Sequence, residues 1–152
     1  HPPPAVVLRR PPMDENSPDI ELVLPATPES IALARQMVRG VLDVLGWDEG
    51  RRADIAIAVT EACTNAVLHA YPEGADGDYE VLAWARPDRL EVAVRDFGRG
   101  MNPRMPSESA GLGLGLPLML AIGDEVSFRS HEDGATTEVR LTFSPEMVPD
   151  AC

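Results

Sequence analysis

The chain has no lysine: all 13 basic side chains among its 152 residues are arginine. Chemistry that needs a Schiff-base amine or the lysine of a Walker phosphate loop is thereby excluded. Cysteine is nearly absent too. Cys63 and Cys152 show neither zinc-ligand nor redox spacing, so a reduced, cytoplasmic setting is expected. Cys63 sits in an apolar pattern and reads as a filler of the core. No apolar run approaches the ~20 residues of a membrane-spanning helix. The opening "HPPPAVVLRRPP" lacks the apolar stretch ending in small residues of a secretory signal. It begins with His rather than Met, so native residues upstream are expected. Positive charge is scarce overall, and the net charge of -12 argues against a nucleic-acid partner, whose phosphates demand a basic surface. An acidic surface suits solubility and a partner with basic recognition surfaces.

What is there has the size of one domain with room for a core. Residues 1–18 hold six of the 15 prolines and little periodicity, and read as a disordered arm. "DIELVL" (19–24) alternates like a half-buried strand. "TPES" opens a helix, with Thr27 as a cap, Pro28 at the first helical position and Glu29 on the dipole. Ile31, Ala34, Val38, Val41, Leu42 and Leu45 continue it at helical spacing, and Gly46 ends it. Asp48 caps a second helix, "EGRRADIAIAVTEACTNAVLHAY", which Pro72 stops. "YEVLAWA" and "RLEVAVRD" follow as strands joined at Pro87-Asp88, then a Gly- and Pro-rich stretch over 97–111 and a short helix over about 115–122. "EVSFRS" and "TTEVRLTF" read as a closing hairpin. The domain is placed at 19–145, with 146–152 as a disordered tail. The order β-α-α-β-β-loop-α-β-β predicts an α+β sandwich: a mixed, mostly antiparallel sheet with helices on one face.

Three stretches carry chemistry. In "IAIAVTEACTNAVLHAY", Glu61 and Asn65 interrupt an apolar or small sequence four residues apart and so share a helix face. They form either a polar edge facing water or a carboxylate and an amide aimed into a site. The carboxylate would then act as base or order a water, and the amide would serve as an oxygen ligand for a hard cation. His69, one turn on, is a third candidate, although a histidine near a helix end also caps or packs. "RDFGRG" sets Asp96 at a strand end before Gly98 and Gly100, either as a solvated turn or as a place where a ligand approaches the backbone. Its "DFG" does not make a eukaryotic-type protein kinase, which needs a strand lysine. "GLGLGL" (111–116) precedes a helix, where bare backbone N–H groups form an anion site. Its spacing and late position do not fit the Rossmann fingerprint.

In combination, Glu-x-x-x-Asn on a helix, Asp-x-Gly-x-Gly at a strand end and Gly-x-Gly-x-Gly before a helix resemble the N, G1 and G2 boxes of the GHKL ATPase superfamily, over about residues 20–143. The resemblance implies the Bergerat nucleotide-binding fold. "VTEACTNAVLHAYP" and the small size look like the anti-sigma-factor serine/threonine kinases within it. Carried over by motif, Asp96 accepts a hydrogen bond from the adenine amino group, with Gly98 and Gly100 beside it. Thr137, with Thr136 as the alternative, positions that aspartate. Asn65 holds Mg²⁺, His69 lies on the same helix, and Glu61 is the general base. Gly111, Leu112, Gly113, Leu114 and Gly115 wrap the phosphates of ATP. Residues 98–110 form a lid in which Arg99 and Arg104 meet the γ-phosphate or serve a plain surface role. The implied partners are a sigma factor, a STAS-type anti-sigma-factor antagonist and a second copy in a homodimer, with no membrane. A nucleotide-gated binding module without turnover, or a domain from a larger phosphatase or sensor regulator, remain as alternatives.

Overall fold

The computed structural model describes residues 6–9, 16–69, 77–97, 115–130 and 136–146. The strands are β1 (Val7–Arg9), β2 (Ile20–Pro25), β3 (Asp78–Arg86), β4 (Arg89–Asp96), β5 (Glu125–Ser130) and β6 (Thr137–Phe143); the helices are α1 (Pro28–Leu45), α2 (Glu49–His69) and α3 (Gly115–Ile122). The strands form one six-stranded sheet in the order β1-β2-β3-β4-β6-β5. The expected α+β sandwich with a mostly antiparallel sheet is borne out; among the described residues every pairing is antiparallel, so the parallel component of a mixed sheet does not occur there. β2 and β3 are neighbours in the sheet with α1 and α2 between them in the chain, and β3 and β4 form a hairpin; β5, reached from β4 through α3, runs parallel to β4 without touching it, because β6 pairs between them.

Period-two alternation assigns the two faces. Leu90, Val92 and Val94 of β4 stand opposite Phe143, Leu141 and Val139 of β6, and all are buried. With Leu22 and Leu24 of β2 and Tyr79, Val81 and Ala83 of β3 they form the face covered by the helices. β6 lies inside the sheet and β5 at its edge because the first alternates buried apolar residues, while "EVSFRS" is mostly exposed. α2 packs between α1 and α3 above β4 and β6. That crowding explains its small side chains: Ala58, Ala62, Cys63 and Ala66 are buried at positions where a larger residue would push neighbours apart.

The helix ends follow the local code with one exception. Gly46 terminates α1 in the left-handed region at φ 74°, where a Cβ would be strained. Asp48 Oδ2 accepts the Gly50 amide at 3.1 Å and caps α2. Pro28 starts α1 as expected, but the Thr27 side chain makes no capping bond. Instead Ser30 Oγ donates to the Thr27 carbonyl at 2.8 Å and lies 2.8 Å from the Tyr79 hydroxyl, which can then donate to it. The unstructured arm expected over residues 1–18 is corrected at Val7–Arg9, which pairs with β2. A three-residue edge strand has no periodicity to reveal it. Asn16 is also tied in, its carbonyl accepting Trp84 Nε1–H at 3.0 Å.

The other face of the sheet carries ions. Glu138 is 2% exposed and accepts Arg95 Nε at 2.6 Å and Arg140 Nε at 3.2 Å. Arg140 also donates to Glu91 at 3.0 Å and lies over the Trp84 ring at 4.6 Å. Burial pulls the Glu138 carboxyl upward, but the Arg95 hydrogen bond and the Arg140 and Arg95 charges outweigh it and hold the group below its ordinary value. The folded pKa is therefore the lower one. Its contribution is present above about pH 4.3, the ordinary glutamate value, and is lost as pH falls through the folded value. Glu138→Gln should flatten the acid limb of stability against pH in that window. An acid-unfolding titration reads this, and an unchanged limb would show that Glu138 does not set it.

Cys63 confirms its place in the core. Burial pushes its thiol up to about 12, the Tyr79 hydrogen bond acting the other way. With Cys152 replaced by serine, folded protein at pH 8 should resist thiol alkylation, and labelling should track unfolding. Rapid native-state labelling would contradict the buried placement.

Candidate functional site

The polar residues of α2 fall into two kinds. Thr60 Oγ1 donates to the Ala56 carbonyl at 2.7 Å and Thr64 Oγ1 to the Thr60 carbonyl at 2.8 Å, so both are satisfied within their own helix. Glu61 and Asn65 are directed elsewhere. A Cβ built on Gly115, the first residue of α3, would lie 3.4 Å from Glu61 Oε2, 3.7 Å from Asn65 Nδ2 and 3.8 Å from Asn65 Oδ1. The carboxylate and the amide thus meet at the N-terminus of α3, with a gap about one methyl group wide that glycine leaves open. Asn65 Nδ2 is buried and has no hydrogen-bond partner among the described residues. A buried amide without a partner is costly unless something else completes it. Gly115, the last glycine of the ladder, and the Glu-x-x-x-Asn pair therefore form one place, where a helix N-terminus favours negative charge.

Asp96 approaches from the sheet. It continues the helix-facing row Leu90, Val92, Val94, and its cross-strand neighbours are Tyr79 on β3 and Thr137 on β6. The sequence reading coupled Thr137 to Asp96, and the register sets them side by side. Tyr79 links this strand end to α2, because it is hydrogen-bonded to Cys63, which lies between Glu61 and Asn65 on the chain. Burial first, then the Cys63 charge, pushes the Tyr79 hydroxyl above its ordinary range, so it stays a neutral donor. The buried Ser30–Tyr79–Cys63 contacts join α1, β3 and α2 beneath Asp96. Sequence reasoning missed Ser30 and Tyr79. Their only signal was a hydroxyl on an otherwise apolar face, and the contact between them spans 49 positions.

His69 closes the last turn of α2. Gly98, Gly100, Arg104, Gly111, Leu112, Gly113 and Leu114 lie outside the described residues, as do Arg99 and the lid. An apolar groove of about 400 Å³, lined by Met37, Val41, Val44 and Leu45 of α1 and by Ala85, opens at the opposite end of β3 from Tyr79 and offers no polar group for chemistry. No cluster of three or more His, Cys, Asp or Glu able to hold a metal occurs among the described residues. No helix among the described residues is long and apolar enough to cross a membrane.

A two-layer sandwich with an aspartate at the end of a central strand, and with a Glu and an Asn of the central helix meeting a glycine-led short helix, defines a class of nucleotide-binding domain. The chain belongs to the family of histidine kinase-like ATPase domains, whose model matches residues 24–143. It is similar to the serine-protein kinase RsbW of Bacillus subtilis, with 36% identity over 149 aligned positions, covering 90% of this chain and 92% of that one. The serine-protein kinase RsbW of Bacillus pumilus is 34% identical, with 90% and 93% covered. Among solved structures, the RsbU and RsbW domains of a Mycobacterium tuberculosis protein align with a TM-score of 0.61 at 26% identity, covering 82% of this chain. The chain spans 32% of that longer one.

Proposed function

We propose that the chain is an ATP-dependent serine/threonine protein kinase and anti-sigma factor, which phosphorylates a STAS-type antagonist and so controls transcription by partner switching. The observation that carries the reading is the meeting of Glu61, Asn65 and Gly115, because it joins two separated motifs at a helix N-terminus beside an unpartnered amide. These residues fit a magnesium-bound nucleotide. One or two protein oxygens suffice where phosphate oxygens supply the rest, and an acidic protein needs that metal to accept a tetra-anionic ligand.

In this reading Asn65 holds Mg²⁺ and the α3 N-terminus receives phosphate oxygens. Asp96 accepts the adenine amino group, with Thr137 beside it fixing the carboxylate. Bound Mg-ATP supplies the phosphoryl group. Glu61 takes the proton of the incoming serine or threonine hydroxyl, within reach of the same glycine that borders the phosphates. From the resemblance, Gly98 and Gly100 admit the base, Gly111 to Leu114 wrap the phosphates, and His69 and Arg104 border the nucleotide. The sigma factor, the antagonist and a second copy of the chain are its partners, in the cytoplasm.

Calorimetry with Mg-ATP and ADP tests the binding, and labelled phosphate reaching a serine or threonine of the antagonist tests the transfer. Unmutated protein that binds neither nucleotide ends the whole reading. Binding without transfer leaves a nucleotide-gated module that sequesters its partners.

A further inference from the structure

Arg51 is a charged residue that the site does not use, yet it is only 5% exposed. It stands in the first turn of α2 and ties together chain ends that are distant in sequence. Its Nη1 donates to the Ile122 carbonyl, the last residue of α3, at 3.0 Å. Its Nε donates to the Ser144 carbonyl just past β6 at 2.9 Å. Its guanidinium lies 5.9 Å from the centre of the Phe143 ring, and Nη2 is 3.9 Å from Asp124 Oδ1, a charge contact too long for a hydrogen bond. Asp124 in turn accepts the Ser144 amide at 2.6 Å.

α3 needs such a tie. It has eight residues, of which only Met119 is buried, and its last turn contains no basic side chain of its own. Arg51 supplies the cation that the negative end of this helix favours, and it does so from α2. α2 and α3 are thus antiparallel and joined at both ends. At one end Arg51 holds the C-terminus of α3; at the other, Gly115 rests against Glu61 and Asn65. Between those ends α3 is seated by Met119 and, in part, by Ile122, and the guanidinium is the polar tie at its C-terminus.

We infer that Arg51 is a positioning residue: by holding the C-terminus of α3 it fixes the distance of Gly115 from Glu61 and Asn65, without touching the site. Asn65 lies about 21 Å along α2 from Arg51, at 1.5 Å per residue. The part of the inference that concerns catalysis rests on the kinase reading above. Lysine cannot replace the function fully, because it lacks the planar fork that reaches two carbonyls at once.

The experiment compares Arg51→Met and Arg51→Lys with Val38→Ala, a core substitution in α1 that lowers stability elsewhere. It is run at a temperature where all are folded. The first readout is NMR of the nucleotide-free protein. The Gly115 amide and the Asn65 side-chain amide should shift in Arg51→Met and remain in place in Val38→Ala. The second is the split between kcat and KM. Arg51→Met should lower kcat for transfer by roughly ten- to a hundredfold, the scale of an ångström of misplacement, with Arg51→Lys in between and Val38→Ala unchanged. If the Asn65 and Gly115 signals stay put in Arg51→Met, or if Val38→Ala loses kcat equally, Arg51 is a stability residue and the inference is overturned. Shifts at Gly115 in a protein that binds no nucleotide would support the positioning role and remove the kinase reading instead.

Discussion

Replacing Glu61 by alanine should reduce phosphoryl transfer by roughly 10²- to 10⁴-fold, effectively abolishing it, while leaving Mg-ATP binding largely intact. Glu61 is on a helix that alanine suits, so the fold has no reason to fail. The substitution removes the carboxylate beside Gly115 but leaves Asn65 and Asp96, the residues assigned to the metal and the base. Transfer of labelled phosphate and calorimetry on the same sample separate the two effects. Glu61→Gln adds a second discrimination. It keeps the packing against Gly115 but cannot take a proton, so it should behave like the alanine variant. An amide variant with unmutated activity would make the role steric, and an alanine variant that no longer binds nucleotide would make Glu61 a binding residue.

Asp96→Asn should weaken ATP binding by about 1.5–3 kcal/mol, roughly ten- to a hundredfold, which is the scale of a hydrogen bond to a charged group. The change is nearly isosteric at a strand end paired to Tyr79 and Thr137, so the sheet should be preserved. Because the proposed contact is to the adenine amino group, inosine triphosphate, which lacks it, supplies the control. Unmutated protein should prefer ATP over the inosine nucleotide, and Asp96→Asn should largely lose that preference. A variant that binds ATP at full strength, or that still discriminates, would place adenine recognition elsewhere.

Much of this was legible along the chain because the relevant physics is local. Gly46 ends α1 in the left-handed conformation, Asp48 caps α2, and the helix over 115–122 and the strands from β3 to β6 fall where spacing predicts them. Glu61 and Asn65 were singled out because a helix repeat sets both on one face whatever surrounds the helix. The resemblance to the superfamily rested on the order of such local motifs, and the family match bears it out. Thr27 makes no side-chain capping bond; its carbonyl instead accepts the hydroxyl of a residue three positions later. That Ser30 hydroxyl is in turn placed by Tyr79, which no local rule can anticipate.

By itself, then, the sequence determined the elements, their buried faces and the residue types available for chemistry. Backbone propensity, capping and side-chain period all act within a few residues. Tertiary structure decided which elements became neighbours: β1 added to the β2 edge, β6 inserted between β4 and β5, and α3 laid antiparallel to α2. It also decided that Thr137 stands opposite Asp96 and that Gly115 meets Glu61 and Asn65. Those contacts join positions 41 to 54 residues apart, and they exist only because burial of one shared apolar face fixes the register of the sheet and the seat of each helix upon it.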